Sequence, residues 1–321
     1  MPINLANLFK HKHTGIDLGS SSVKVVKLSR QKISLAAIIN ILPAERAETP
    51  VLISRLRQFF TDTGIAGSSA VIAIPGEHTF VRTITLPAMP ETELKEAVRW
   101  EIKRQIPYAE EESVTDYISR ESSEGHIVTF AAAERKNILK YVQIFEGAGV
   151  KVAVVDIAPL ALMRALNRQT PESFVLADIG SSAIEIIIVR SGVLRIARTV
   201  EIGSDLVLNA LISSGKTPEE SLEIMCSSMT DDMKLPLNQL LREIYRSIDY
   251  YKANYKDPDL SKLILAGGIC RNQHVIGHIR DAIKMQVDVP NPFTGFSMKD
   301  ESLFAMGPRF SLAMGLAMRT A

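Results

Sequence analysis

Two segments half a chain apart carry the same signature, and this duplication constrains the architecture of the 321-residue sequence more than any other feature. The first runs from Gly15 to Leu28 and the second from Leu176 to Val189. In each segment, an apolar strand ends at an Asp. A Gly and small residues then turn the chain into a second apolar strand, and Asp17 aligns with Asp178. Repetition on this scale predicts two lobes that each begin with the same strand-turn-strand.

Each hairpin has the composition of a phosphate-binding turn. Glycine accepts the backbone angles of a tight turn and lets the main chain approach a ligand closely. Successive backbone N–H groups and serine hydroxyls form a nest for phosphate oxygens, and an Asp at the strand end suits a hydrated Mg²⁺ ion. One copy is usually an ordinary turn, but two matched copies predict that the hairpins bind the phosphates of one nucleotide from both sides. The predicted metal ligands are Asp17 and Asp178, and the predicted phosphate ligands are Gly19, Ser20, Ser21, Ser22, Gly180, Ser181 and Ser182.

Lys24 follows the first turn, and the sequence leaves its role open. Its long side chain can reach a phosphate in the same cleft. Strand alternation equally favours a solvent-facing position, because Lys24 lies between the core residues Val23 and Val25.

The composition is that of a soluble globular protein, with 46% hydrophobic and 23% charged residues. The net charge of +1 gives no indication of nucleic-acid binding. No apolar run approaches the roughly 18 residues of a membrane span, and Met1 to His13 lacks the apolar core of a signal peptide. Two cysteines outside any paired motif fit a reducing compartment. The sequence therefore predicts a cytoplasmic protein.

The order of patterns along the chain predicts an α/β protein with two lobes. Lobe I is predicted over residues 1–170, with an inserted helix–strand–strand–helix–strand module over about 84–152. Lobe II is predicted over 171–307, with a helical part over about 204–260. A final helix over 308–321 is rich in small residues, which suits close packing between the lobes.

A third motif completes the predicted ligand site. Residues 263–268 read as a buried strand that ends in Gly267 and Gly268. Glycines at the carboxyl edge of an α/β sheet leave room for a ligand. The motif is weak alone, but beside two phosphate hairpins it marks the expected position of a nucleoside.

Together these three motifs resemble the phosphate and adenosine motifs of the actin/Hsp70/sugar-kinase superfamily. Within it the chain resembles the PilM family, cytoplasmic actin-like proteins of type IV pilus assembly, and the inserted module resembles the 1C subdomain of FtsA. The more specific marks of this resemblance are the segments Phe80 to Pro90, Glu93 to Glu101, Val155 to Leu162 and Val289 to Phe293. The resemblance implies a bilobed actin-like ATPase fold of duplicated RNase H-like lobes, with ATP and Mg²⁺ in the cleft.

The resemblance also implies further nucleotide contacts. Gly203 occupies a position where the family often has two glycines. Glu243 and Arg246 lie on a predicted helix similar to the one that contacts adenosine in the superfamily, although a surface ion pair explains them equally well.

Hydrolysis is poorly supported by the sequence. Related hydrolases commonly place a Gln at the start of the inter-lobe helix to position water, whereas this helix opens with apolar Ile157 and Ala158. Asp156 is equally an N-cap of that helix and a candidate base. We therefore expect ATP binding with weak or no ATPase activity.

The inserted module is predicted to form a peptide-binding groove against lobe I. Apolar residues on facing elements are available for extended-peptide recognition. The single tryptophan lies off the apolar stripe of its helix and is either buried between module and lobe or anchors a partner. The predicted partner residues are Phe80, Leu94, Val98, Trp100 and Ile102.

The resemblance implies that the partner is the N-terminal cytoplasmic peptide of the inner-membrane protein PilN, which would recruit the chain to the cytoplasmic face of that membrane. Pilus motor ATPases, the platform protein and a homo-oligomer are further possible partners. Two other functions stay open. A polymerising FtsA- or MreB-like protein is one, although the chain lacks the long C-terminal linker and membrane helix of FtsA. A sugar or acid kinase is the other, for which the relevant strand end offers only Glu77.

Overall fold

The computed structural model describes residues 14–123, 125–166, 173–255, 260–298 and 300–319. Within these ranges the chain forms three β-sheets with α-helices packed on their faces. No helix in this part of the chain has the length and apolar character that a membrane crossing requires.

The strands in chain order are β1 (Thr14–Leu18), β2 (Ser22–Ser29), β3 (Lys32–Asn40), β4 (Ser69–Ile74), β5 (Thr79–Leu86), β6 (Ser113–Ser122), β7 (Gly125–Glu134), β8 (Lys151–Ile157), β9 (Phe174–Ile179), β10 (Ile184–Arg190), β11 (Val193–Val200), β12 (Lys262–Gly267), β13 (Gln286–Asp288) and β14 (Ser297–Met298). The helices in chain order are α1 (Pro43–Ala47), α2 (Thr49–Asp62), α3 (Glu91–Gln105), α4 (Arg135–Gly147), α5 (Ala158–Leu166), α6 (Asp205–Ser213), α7 (Pro218–Ser227), α8 (Asp231–Asn254), α9 (Gln273–Ala282) and α10 (Ser311–Ala317).

Lobe I is built on a six-stranded sheet of order β14-β3-β2-β1-β4-β8. The hairpin β1–β2 is antiparallel, while β4 runs parallel to both β1 and β8. Helix α2 presents its apolar residues at helical spacing to one face of this sheet. There Leu56 and Phe60 pack with Phe145 of α4 in a fully buried core.

The inserted module is smaller than the sequence predicted. A separate antiparallel sheet of order β5-β7-β6 carries α3 on one face. The predicted range of 84–152 is wrong at both ends, because this sheet begins at Thr79, whereas α4 packs in the lobe I core and β8 pairs with β4. Strand β8 pairs with β4, which precedes the insertion in the chain, and local sequence patterns do not reveal such a long-range pairing.

Lobe II repeats the topology of lobe I in a five-stranded sheet of order β11-β10-β9-β12-β13. The β9–β10 hairpin is antiparallel, and β12 runs parallel to β9. Helices α6, α8 and α9 cover one face of this sheet with a continuous apolar core, so that the ends of β9 and β12 are held side by side.

Helix α10 crosses the junction between the lobes at very short range. A Cβ added at Gly315 would lie 1.9 Å from the carbonyl oxygen of Ala161 on α5. A Cβ added at Gly15 on β1 would lie 2.2 Å from the carbonyl oxygen of Ala313. One apolar cluster here contains side chains of both lobes, including Val26 and Phe174. Small residues therefore let three backbones meet at this point.

Candidate functional site

The two predicted phosphate hairpins meet across the cleft. The hydroxyls of Ser20 and Ser181 share a hydrogen bond of 2.6 Å, and the Ser181 hydroxyl donates to that of Ser21 at 2.9 Å. The backbone N–H of Ser182 points to the Ser20 hydroxyl at 3.3 Å. The structure therefore brings the serines of both lobes together, with their hydroxyl and N–H groups facing one another.

The first turn is held from outside the hairpin. The Arg46 guanidinium of α1 donates to the carbonyl oxygen of Gly19 at 2.7 Å. A side chain at Gly19 would press against the Lys24 ammonium and the Ser22 carbonyl oxygen, each about 3 Å from the added Cβ. Ser22 itself is buried at the start of β2, away from the contacts between hydroxyls. Gly19 therefore lets the Lys24 ammonium and the Ser22 carbonyl oxygen lie close to the turn, and Ser22 belongs to the buried start of β2.

Lys24 is directed into the cleft and away from solvent. Its ammonium lies 3.0 Å from the Asp17 carboxylate, and the two side chains are only 14% and 11% exposed. Residues 17 and 24 are opposed in the antiparallel pairing of β1 and β2, which places them on the same face. The cleft therefore contains a cation next to its first carboxylate.

The second carboxylate, Asp178, is electrostatically frustrated. Burial, with the negative charge of Asp17 as a second cause, raises the pKa of Asp178 to about 7, and the Lys24 ammonium opposes this shift only in part. Neighbouring Glu185 on β10 has its pKa raised to about 7 as well, chiefly by burial, although the Thr199 hydroxyl donates to it at 2.7 Å. Asp17 and Asp178 approach each other from opposite lobes, and a divalent cation between them would offset the repulsion of their charges.

Gly203 packs directly on the second hairpin. A Cβ there would lie 2.3 Å from the carbonyl oxygen of Ser181. The next two backbone N–H groups, of Ser204 and Asp205, donate to the carbonyl oxygens of Gly180 and Ser181 at 2.9 Å each. The structure thus joins Gly203 and the start of α6 to the predicted phosphate site.

Gly267 lies beside the same hairpin because β12 runs parallel to β9. It has a φ of +97°, and an added Cβ would lie 2.2 Å from the Ile179 carbonyl oxygen and 2.9 Å from the Asp178 carboxylate. Gly268 follows next to the Arg309 side chain, whose atoms come within 3.7 Å of an added Cβ. The predicted nucleoside end of the cleft is therefore continuous with the second carboxylate.

Sequence reasoning missed three parts of this end of the cleft. The Asn272 side-chain amide donates to the carbonyl oxygens of Met225 and Ser228, which ties the end of α7 to the turn after β12. Arg309 and Arg271 approach each other there, and burial lowers the pKa of Arg309. The capping box of Thr217 was a usable sign of α7, but no local pattern singles out either arginine.

Glu243 and Arg246 are paired with each other and with β11. Glu243 forms an ion pair with Arg246 on its own helix and accepts a hydrogen bond from Arg198 of β11 at 3.0 Å. Strand β11 is the edge of the sheet and is separated from β12 by two strands, about 14 Å at the usual spacing. The ion-pair interpretation is therefore the one that the structure supports.

Asp156 is fully engaged by basic groups. Its carboxylate accepts hydrogen bonds from Arg164 at 3.0 Å, from Arg319 at 3.4 Å and from the backbone N–H of Ile157 at 2.8 Å. It is 5% exposed and joins β8 and α5 to the C-terminal end of α10. A buried carboxylate held by two guanidinium groups and a backbone N–H ties these elements together, so Asp156 has a structural role here.

Comparison with known proteins decides the family. The family model described as "Type IV pilus assembly protein PilM" matches residues 15–321. The chain belongs to the PilM family. A solved structure described as the PilM-PilN type IV pilus biogenesis complex is 23% identical to it, with a TM-score of 0.83 over 97% of this chain and 99% of the other.

Two structures with lower TM-scores share the actin-like ATPase fold of the chain. The ethanolamine utilization protein EutJ from Carboxydothermus hydrogenoformans is 15% identical, with a TM-score of 0.62 over 96% of this chain and 89% of the other. MreB5 of Spiroplasma citri, solved bound to ADP, is 9% identical, with a TM-score of 0.50 over 95% of each chain. The predicted fold class is thereby confirmed.

Within this PilM-family structure, most of the predicted partner residues are core residues. Leu94, Val98 and Ile102 form the buried stripe of α3 and pack on Val128 and Phe130 of the module's own sheet. Their four-residue spacing places them on one helix face, and that face is covered. The prediction that they line a groove is wrong.

The other two predicted partner residues differ from each other. The Phe80 ring is half-buried, with its centre 6.1 Å from that of Phe130 and the Arg82 guanidinium above it. Trp100 is 66% exposed on the outer face of α3, which excludes burial between the module and lobe I. Only Trp100 retains the exposure that a partner anchor needs.

Strand β6 offers an apolar surface that sequence reasoning missed. It is an edge strand of the module, with Val114 and Ile118 exposed by 38% and 56%. They alternate with Tyr117, which packs towards α3, and so lie on the opposite face of the sheet. Arg135 at the start of α4 donates to the Ser113 carbonyl oxygen, which brings lobe I next to the start of β6.

Proposed function

We propose that this chain is a nucleotide-binding cytoplasmic scaffold of the type IV pilus assembly platform. It holds Mg-ATP between its two hairpins and binds the N-terminal segment of a PilN protein on its inserted module. The observation that carries the nucleotide half is the contact of Ser20 and Ser21 with Ser181 between the lobes. MreB5, which shares the fold, is described as bound to ADP.

The donor set fits a magnesium nucleotide. Mg²⁺ prefers one or two carboxylates together with water and phosphate oxygens. The cleft supplies Asp17 and Asp178 for the ion, and no group of three or more ligating side chains occurs among the described residues. The bound ion would supply positive charge that favours ionised Asp178. The hydroxyls and N–H groups of Ser20, Ser181 and Ser182 would bind phosphate oxygens, and Gly267 lets the end of β12 pack closely beside Asp178.

Calorimetric titration with Mg-ATP tests this site. We expect Asp17→Asn and Asp178→Asn each to weaken binding by roughly tenfold or more, since a charge-assisted contact is lost. The matched control is Arg246→Gln, which removes a charge of α8 that pairs with Glu243 on the same helix. Unchanged affinity in both Asp variants, or an equal loss in the Arg246 variant, would contradict the proposal.

The PilN segment is proposed to bind along β6. A structure with the same fold is described as a PilM-PilN complex, and edge strands bind extended peptides by adding a strand. On β6 the exposed Val114 and Ile118 provide apolar contacts for alternate residues of such a segment. Leu139 of α4, which is 51% exposed, lies one helical turn beyond Arg135 on the lobe I side. Binding of this kind would recruit the chain to the cytoplasmic face of the inner membrane.

A pair of matched substitutions tests the location of this surface. Ile118→Asp and Trp100→Asp each place a carboxylate at a well-exposed apolar position of the module, but on opposite faces. We expect Ile118→Asp to weaken binding of a labelled PilN N-terminal peptide, and Trp100→Asp to leave it unchanged. The reverse result would move the surface to α3. Contacts with motor ATPases, the platform protein or a second copy stay predictions, which affinity capture with each purified partner would test.

A further inference from the structure

A second groove lies between the inserted module and lobe II. Strands β5 and β11 each form the outer edge of their own sheet, and they lie alongside one another without pairing. A cavity of about 580 Å³ opens between them, lined by residues 79–83 of β5, residues 195–198 of β11 and the second half of α8. This groove is on the opposite edge of the module sheet from β6.

The groove is strongly basic. Four of its lining residues are arginines, namely Arg82, Arg195, Arg198 and Arg246. Glu243 is the carboxylate that reaches them, and it is shared between Arg198 and Arg246. Arg82 and Arg195 have no carboxylate partner in the part of the chain that the structure describes. The groove therefore has an excess of positive charge that a negative partner would neutralise.

Arg195 is the groove arginine with an unsatisfied hydrogen-bond donor. Its Nε is buried and has no hydrogen-bond acceptor among the described residues. Its guanidinium is placed over the Tyr255 ring at 6.0 Å, as that of Arg82 is over the Phe80 ring at 5.4 Å. Both side chains are thus ordered by aromatic rings instead of by anions. A buried donor without an acceptor is rare, and because Arg195 lines the groove, a partner carboxylate there would pair with its guanidinium charge.

The shape of the groove favours an extended chain. The five β5 residues that line it span about 17 Å at the usual rise of a strand. Along this length, the outer edges of β5 and β11 present backbone groups that are not used in their own sheets. We infer that this groove binds an extended acidic peptide segment of a partner protein, with carboxylates on alternating residues facing the arginines. The inference is independent of the PilN surface, which is apolar and lies on β6.

Fluorescence anisotropy with two labelled peptides tests the inference. One peptide alternates Glu with Val, and the other alternates Lys with Val. We expect the full chain to bind the Glu peptide and not the Lys peptide, with affinity that falls as salt is raised. Equal binding of both peptides, no binding of the Glu peptide, or its displacement by equimolar inorganic pyrophosphate would overturn the peptide assignment.

A charge-matched pair of double variants locates the site. Arg82→Gln with Arg195→Gln should weaken binding of the Glu peptide by roughly tenfold or more, because paired charges in a groove are lost. Arg99→Gln with Arg104→Gln removes the same charge from the exposed face of α3 and should leave binding unchanged. If the first pair fails to fold, Arg82→Gln alone, an exposed position, gives the same test. Equal effects of both pairs would overturn the inference.

Discussion

Asp178 shows how one side chain links the cleft to the stability of the molecule. Its pKa of about 7 lies above the ordinary value of 3.8 because burial and the Asp17 charge disfavour the ionised form. The folded chain therefore binds more protons than the unfolded chain between about pH 4 and pH 7. Stability associated with this group is present at low pH and is lost as pH rises through the folded pKa.

We therefore predict that Asp178→Asn stabilises the chain above pH 7 when nucleotide and divalent ions are absent. The gain in Tm over the wild type should be near zero at pH 4, and should reach at least roughly 2 °C at pH 8, in line with about 1 kcal/mol in a large domain. Calorimetric scans across this pH range measure it. Exposed Asp249→Asn is the control and should show no such trend. A gain that is largest at pH 4 would contradict the assignment.

At the scale of single residues, a motif is most informative when it contains all of the residues that contact one another. The two hairpins named Asp17, Asp178 and the serines, and the structure brings these together. For Glu243 the sequence left an ion pair and a nucleotide contact equally open, because Arg198, which fixes the position of Glu243, lies on a strand distant in sequence. Arg309 was missed for the same reason, since only the folded chain places it next to Gly268.

Elements were predictable wherever apolar periodicity was clear. The strand-turn-strand predicted from Gly15 to Leu28 forms β1 and β2, and the strand predicted over 263–268 forms β12 through Gly267. Periodicity does not tell which sheet an element joins, so α4 and β8 were placed in the wrong unit. The stripe of Leu94 and Val98 shows the same limit, because an apolar helix face is first covered by its own module.

Helix α10 gives a prediction in which one chemical change has opposite effects at two sites. Gly315→Ala should destabilise the chain by roughly 1–3 kcal/mol or more, because the new methyl group meets the backbone of α5 at 1.9 Å. Gly277→Ala, within α9 and with open space around it, should stabilise by about 0.5–1 kcal/mol through backbone entropy. Urea unfolding measures both. A neutral Gly315 variant would show that the two helices are not in close contact.

At the scale of the whole molecule, the proposed nucleotide cleft has no polar residue at the start of the inter-lobe helix, where related hydrolases position water. Asp156 is held by Arg164 and Arg319, and the helix start at Ile157 is apolar. We predict that turnover of Mg-ATP by the full chain stays below about 1 per second, the lower end of the usual enzyme range. A phosphate-release assay measures it, with Glu185→Gln as a check on the remaining buried carboxylate. A rate within the usual range that disappears in this variant would make the chain an ATPase.

One chain is proposed to hold a nucleotide between its lobes and a PilN segment on its inserted module, at separate sites. Amide hydrogen exchange, read by mass spectrometry on the full chain with each ligand in turn, tests both sites together. Mg-ATP is predicted to slow exchange in residues 15–22, 178–182 and 265–268, and the PilN peptide to slow it in residues 113–122. Protection by Mg-ATP that misses both hairpins, or protection by the peptide that misses β6, would contradict the account.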